Sequence, residues 1–154
     1  GGGDSRLVDV LLAKGYKDIS VLDISSKALD RTKKRLGVSS KNISWIVCDI
    51  LDFKPKKKYA LWHDRASFHF LTSPEDINSY KKIVNQWVNK YLVLGSFSKE
   101  GPSKCSGLPV TQYSCDSISK SFQEFFNPIK CEYLTHQTPF KTEQKFVFSS
   151  FEKI

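Results

Sequence analysis

Three glycines followed by an acid, Gly1-Gly2-Gly3-Asp4-Ser5-Arg6-Leu7, stand upstream of a second carboxylate in Val21-Leu22-Asp23-Ile24. A glycine-rich turn that opens a helix lets main chain approach a ligand closely. An acid at the end of the next strand can accept the hydroxyls of a ribose. The pairing therefore points to a ligand containing adenosine. Two further strand ends, at Asp49 and at Asp64-Arg65, supply polar groups in the order such a site needs. Taken singly, each has a plainer reading. A glycine run is also a linker, Asp23 or Asp49 is also a helix cap or turn residue, and Asp64 with Arg65 is also a local ion pair.

No louder catalytic set is written in the chain. His63, His69 and His136 are its three histidines, and they form neither a Ser-His-Asp pattern nor a metal-ligand spacing. His69 sits between Phe68 and Phe70, so a packed histidine and a functional one read equally well. Tyr113 and His136 are the other candidates for a base. Tyr113 closes a segment, residues 98–113, rich in Gly, Pro and Ser, where a loop after a strand would set specificity for a second substrate. The four cysteines, Cys48, Cys105, Cys115 and Cys131, show no C-x-x-C pair. They read as reduced thiols of a cytoplasmic protein.

A length of 154 residues fits one domain, residues 1–154, able to take roughly two-thirds of its unfolded surface out of water. No apolar run nears the ~20 residues of a membrane span. The net charge of +8 would favour an anionic partner, but the lysines are dispersed. Their one dense run, Lys54-Pro55-Lys56-Lys57-Lys58, lacks interleaved aromatics and reads as a solvated loop, which argues against nucleic acid. There is no methionine, so the sequence reads as a domain trimmed at its N-terminus.

The elements alternate. Leu7, Val8, Leu11 and Leu12 form the stripe of a first helix that stops at Lys14-Gly15. Residues 19–22 form a buried strand. Ser25 or Ser26 caps a second helix, with Leu29, Thr32 and Leu36 inward, Asp30 and Lys34 paired outside, and Gly37 as its end. Strands follow at 43–47 and 59–63. Ser73-Pro74 starts a helix carrying Ile77, Tyr80, Val84, Trp87 and Tyr91 at helical spacing. A strand runs from Tyr91 to Phe97, and Ser114 caps a helix with Ile118, Phe122 and Phe125 on one face. Two last strands, 130–135 and 145–152, joined through Pro139-Phe140, form an antiparallel hairpin. Trp45, Trp62 and Trp87 fall at apolar positions and read as core. The class is α/β: a Rossmann-like, mostly parallel sheet flanked by helices and closed by that hairpin.

The order of glycine loop, Asp23, Asp49, Asp64-Arg65 and closing hairpin resembles the class I S-adenosylmethionine-dependent methyltransferases over nearly the whole chain. The stretch Tyr59-Ala60-Leu61-Trp62-His63-Asp64-Arg65-Ala66-Ser67-Phe68-His69-Phe70-Leu71 is similar to the family's fourth strand and the segment after it, F-D-L-V-x-x-x-x-x-x-H-x-L. Residues 101–109 are similar to a bacterial-type subgroup of small methyltransferases. The resemblance implies S-adenosylmethionine as cofactor and S-adenosylhomocysteine as product. It implies that Gly1 and Gly3 pass the methionyl part, Asp23 takes both ribose hydroxyls and Ile24 lies against the adenine. Asp49 and the backbone of Ile50 would serve the adenine edge, and Asp64 or Arg65 the methionyl amine and carboxylate.

The chain departs from the family's pattern in three places. No strand precedes Gly1, Ala60 replaces a common aspartate, and Asn89-Lys90 replaces a proline-glycine turn. Methyl transfer by in-line displacement asks mainly for alignment and a dry site, so a quiet sequence is compatible with it. The acceptor would be a small molecule or a protein nucleophile. The aromatic motif of DNA adenine methyltransferases is absent after strand four, where Asp64-Arg65-Ala66-Ser67 stands. A nicotinamide-dependent oxidoreductase shares the first half but needs neither Asp49 nor the hairpin. A noncatalytic binding relative is the third reading.

Overall fold

A computed structural model describes residues 1–138 and 142–154. The Pro139-Phe140 connection expected in the hairpin lies outside the described residues. The chain forms two compact units, residues 1–54 and 55–154.

In the first unit, α1 (Leu7–Ala13) leads to β1 (Ile19–Asp23), α2 (Ser26–Leu36), a 3-10 turn over Gly37–Asn42 and β2 (Ile43–Val47). β1 and β2 are parallel, paired from Ile19↔Ile43 to Asp23↔Val47. α1 stops because Gly15 adopts φ 83°, a left-handed conformation, and returns its N–H to the Leu12 carbonyl at 2.9 Å. Ser25 caps α2, its hydroxyl accepting from Ala28 N at 3.2 Å. Val8, Ile19, Val21, Leu29 and Ile43 make the core, with Leu11, Leu12, Leu36 and Trp45 packed against it. The outer charge pair of α2 is Asp30 with Lys33 at 3.1 Å, and not with Lys34 as the spacing suggested.

The second unit contains β3 (Tyr59–Arg65), α3 (Pro74–Trp87), β4 (Val88–Phe97), β5 (Lys104–Cys105), β6 (Leu108–Pro109), α4 (Cys115–Phe122), β7 (Phe126–Gln137) and β8 (Glu143–Lys153). Its main sheet runs β3-β4-β8-β7. β3 and β4 are parallel, whereas β8 is antiparallel to both β4 and β7. The sheet of this unit is therefore mixed. The hairpin's second strand takes the inner place because it is the more apolar: Phe146, Val147 and Phe151 are buried, whereas β7 leaves Ile129, Tyr133 and Leu134 exposed. α3 passes straight into β4 at Val88, so Tyr91 belongs to the strand. Ser73 caps α3 and Ser114 caps α4. Within residues 98–113, β5 and β6 form a small hairpin around Ser106-Gly107, both with positive φ, as a two-residue turn matching the strand twist requires.

Phenylalanine dominates this unit's core. Phe68, Tyr80, Phe122, Phe126 and Phe151 are fully buried, and Phe68 meets the rings of Tyr80 and Phe122 at 4.8 and 5.3 Å. Trp45, Trp62 and Trp87, expected in the core, are only half-buried.

The cysteines correct the reduced-thiol expectation. Cys115 at the start of α4 and Cys131 on β7 form a disulfide, and Cys48 and Cys105 are free. Scattered positions in sequence hid a pair that the packing of α4 on β7 brings together. Closing a loop of 16 residues restricts the unfolded chain; reduction is expected to lower stability by ~2–3 kcal/mol. Thermal melts with and without a dithiol reductant check this. An unchanged midpoint after complete reduction would contradict it.

Candidate functional site

The first unit's candidate site is built around one carboxylate. Asp23, half-buried at the end of β1, accepts Gly3 N at 2.9 Å on Oδ2 and Ser25 N at 2.8 Å on Oδ1. It thereby ties the glycine turn to the cap of α2. A carboxylate offers about four lone-pair sites, so roughly two remain for a ligand's hydroxyls. Gly2 donates to the Leu22 carbonyl at 2.9 Å. A Cβ at Gly3 would lie 2.6 Å from the Ala28 Cβ and 2.9 Å from Asp23 Oδ2, and one at Gly2 would lie 2.6 Å from Val21 Cγ1. The turn is glycine because it is pressed against β1 and α2. Gly1 stands exposed ahead of Gly2 and Gly3.

α2 holds the turn from its other side. The Thr32 hydroxyl donates to the Gly3 carbonyl. Arg31 forks onto Asp4 at 2.9 and 2.5 Å, and Arg35 forks onto Asp9 at 3.1 and 2.8 Å. The guanidinium partners hold the Asp4 and Asp9 carboxyls below their usual range. Next to Asp23, Ile24 keeps 70% of its surface exposed, an apolar side chain held in solvent beside a polar one. The loop after β2 is fastened to the same strand end, with Cys48 N donating to the Asp23 carbonyl at 3.1 Å. Asp49 is exposed, with Oδ1 accepting Leu51 N at 2.9 Å, and Ile50 is half-buried behind it.

The second unit gives Asp64 and Arg65 different work. Asp64 is 5% exposed and accepts three donors: Ser67 N and Phe68 N, each at 3.1 Å, and the Tyr80 hydroxyl at 2.8 Å. Burial, reinforced by Asp64, pushes the Tyr80 phenol well above its usual range, so it remains a donor. Arg65 is exposed, its guanidinium 5.2 Å from the centre of the Phe146 ring. Ala66 then turns the chain in a left-handed conformation, φ 58°, with its N–H on the Gly95 carbonyl at 2.8 Å.

Comparison with solved structures decides the fold. The N-methyltransferase NodS from Bradyrhizobium japonicum WM9 superposes with a TM-score of 0.75 at 18% identity, over 99% of this chain and 82% of that one. The 1,6-didemethyltoxoflavin-N1-methyltransferase of Burkholderia thailandensis, solved with that substrate and S-adenosylhomocysteine, gives 0.72 at 12%, over 98% and 68%. The glycopeptide N-methyltransferase MtfA, solved with S-adenosyl-L-methionine, gives 0.70 at 13%, over 97% and 78%. This chain has the class I S-adenosylmethionine-dependent methyltransferase fold. No protein-family model and no curated protein matches the sequence.

Within this methyltransferase fold the candidate bases are differently placed. His69 is fully buried, its ring 4.7 Å from Phe70 and 4.6 Å from Phe97, with Nδ1 accepting Phe97 N at 3.4 Å. Burial pushes its pKa down to about 4, against a smaller pull upward from Asp64. Tyr113 is 5% exposed and stacked on Phe68 at 5.2 Å; burial raises its phenol to about 12. Neither His69 Nε2 nor the Tyr113 hydroxyl has a hydrogen-bond partner among the described residues. His136 lies exposed on β7, its ring 6.4 Å from Phe146. Sequence reasoning missed the grip of α2 on the glycine turn. The signal available was the spacing of Ala28, Arg31, Thr32 and Arg35, which puts all four on one helix face. No helix among the described residues is long and apolar enough to cross a membrane.

Proposed function

We propose that this chain is an S-adenosylmethionine-dependent methyltransferase acting on a small-molecule or protein nucleophile. The observation that carries the proposal is Asp23, with two acceptor sites to spare beside the pressed glycine turn and the exposed Ile24. When bound, S-adenosylmethionine supplies a methyl group on a sulfonium, and S-adenosylhomocysteine is the product left behind. Asp23 accepts the two ribose hydroxyls, Ile24 covers one face of the adenine, and Asp49 with the Ile50 backbone meets its edge. Gly1 and Gly3 let the chain pass the methionyl part without side-chain obstruction.

In the second unit Asp64 is occupied in holding residues 67–68 and Tyr80. Arg65, exposed, is the member of that pair free to meet a carboxylate. His69, neutral and enclosed, and Tyr113, protonated and enclosed, are poor proton acceptors at neutral pH. An acceptor that arrives deprotonated, or as a neutral amine, needs no base from the chain. The NodS, MtfA and toxoflavin enzymes are each named for methylation at nitrogen, so amines are the acceptors to try first. The Cys115–Cys131 bond removes the thiol argument for a cytoplasmic setting, which the proposed chemistry does not require.

Calorimetric titration tests the cofactor. Binding of S-adenosylhomocysteine at micromolar or lower concentration, undisturbed by NAD, is the expected result. Binding of NAD in its place would favour a nicotinamide-dependent oxidoreductase.

A further inference from the structure

Where β4 ends, the second unit holds a cleft of about 320 Å³ that the cofactor residues do not use. Its walls come from the Ser98-Lys99-Glu100 segment, from residues 133–135 of β7 and from Lys145 of β8. The floor is fixed. Ser98 N donates to the Lys145 carbonyl and Gly101 N to the Ser98 carbonyl, each at 2.9 Å. Gln112 Nε2 donates to the Gly101 carbonyl at 2.6 Å. A Cβ at Gly101 would meet the Lys145 carbonyl oxygen at 2.4 Å, so the turn admits no side chain there.

The apolar wall is equally fixed. Tyr133 keeps 59% of its surface exposed, yet it cannot swing freely. Its hydroxyl accepts Cys115 N at 3.2 Å, and the neighbouring Cys131 is bonded to Cys115. An aromatic face held in place and left uncovered is a platform for another flat ring. The polar wall carries two ammonium groups, Lys99 and Lys145, against one carboxylate, Glu100, which is paired with Lys145 at 2.6 Å. Both partners of that pair are solvent-exposed, so its net worth is small and another carboxylate can take the place of Glu100.

We propose that this cleft binds an aromatic carboxylate, its ring against Tyr133 and its carboxylate on Lys145, which strand alternation places on the same face of the sheet. Ser98 and Thr135 line the same space, and hydroxyl side chains suit the oxygens of such a group. Pockets of this kind pair a mostly apolar lining with a few placed polar groups. Called an acceptor site, the cleft rests on the methyltransferase reading; the binding itself does not.

The test is an NMR titration of the whole chain with 4-hydroxybenzoate and its neutral analogue 4-hydroxybenzamide, with and without S-adenosylhomocysteine. 4-Hydroxybenzoate is expected to bind at least tenfold more tightly than the amide. Lys145→Gln should erase that preference, and Lys145→Arg should keep it. Glu100→Gln, which releases Lys145, should tighten 4-hydroxybenzoate binding several-fold, a gain that misfolding cannot mimic. Tyr133→Ala should weaken both probes, and Tyr133→Phe should retain the ring contact. No binding of 4-hydroxybenzoate up to about 10 mM, a free energy of only ~3 kcal/mol, overturns the proposal. Equal affinity for the two probes, or indifference to Lys145→Gln, overturns it as well. Binding of 4-hydroxybenzoate by a chain that ignores S-adenosylhomocysteine would sink the methyltransferase reading and leave the cleft standing.

Discussion

Replacing Asp23 with alanine is expected to weaken S-adenosylhomocysteine binding by more than a hundredfold. On the proposed assignment the change removes two charge-assisted hydrogen bonds to the ribose, each worth ~1.5–3 kcal/mol. A tenfold change in affinity corresponds to about 1.4 kcal/mol, so the expected loss exceeds two decades. The same carboxylate holds Gly3 N and Ser25 N, and part of the loss would come through a loosened turn. Asp23→Asn separates the two contributions. It keeps a carbonyl oxygen in place for one backbone donor, but it lacks the charge and the second acceptor. Calorimetry on both variants, with circular dichroism to confirm folding, checks the assignment. A folded Asp23→Ala chain with parental affinity would remove Asp23 from the site.

Stability should fall as the solution is acidified from about pH 6.5 to about pH 4, and His69 should be a main cause. Free in the unfolded chain, its imidazole titrates near 6.5; enclosed between Phe70 and Phe97 it does not take a proton until about 4. Between those values the unfolded state binds a proton that the folded state refuses, so acid favours unfolding. Above 6.5 the imidazole is neutral in both states and its contribution is complete. Below 4 both are protonated and no further loss comes from this group. A gap of that size, at about 1.4 kcal/mol per pH unit, amounts to about 3 kcal/mol. Asp4 and Asp9, lowered from 3.8 by Arg31 and Arg35, lose their contribution only at more acid pH. Urea midpoints measured across this range should decline in the parent and less steeply in His69→Gln, where His63, also held below 6.5 by burial, still contributes. Parallel declines in the two chains would clear His69 of the effect.

What the sequence disclosed follows from the range of each interaction. Ser25, Ser73 and Ser114 cap helices within their own first turns, and local chemistry of that sort reads directly from residue order. The strands read well for the same reason, since burial imposes its period on neighbouring residues. Pairings between distant segments were not legible. That β8 lies between β4 and β7 depends on which hairpin strand is apolar on both faces, and only the assembled sheet compares them. Cys115 and Cys131 meet through the docking of α4 on β7. Asp64 looked like a ligand contact because it ends a strand beside an arginine. The partners it holds within the chain, Ser67 N, Phe68 N and Tyr80, lie in the turn and helix that follow. Arg31 and Arg35 shared a helix face with Ala28 and Thr32, but that spacing did not name Asp4 and Asp9 as partners, because charged residues on a helix are ordinarily solvated.

The clamp of α2 on the glycine turn determines where the information for the site resides. Ala28, Arg31, Thr32 and Arg35 supply a small surface, a hydroxyl and two forks; the turn contributes backbone and Asp4, and α1 contributes Asp9. The path of the turn is thus written in a helix more than in the turn. Drift within residues 1–6 that spares Gly2, Gly3, Asp4 and Ser5, whose hydroxyl accepts Leu7 N, would leave the shape intact, whereas a single bulky residue at Ala28 would rewrite it from a distance.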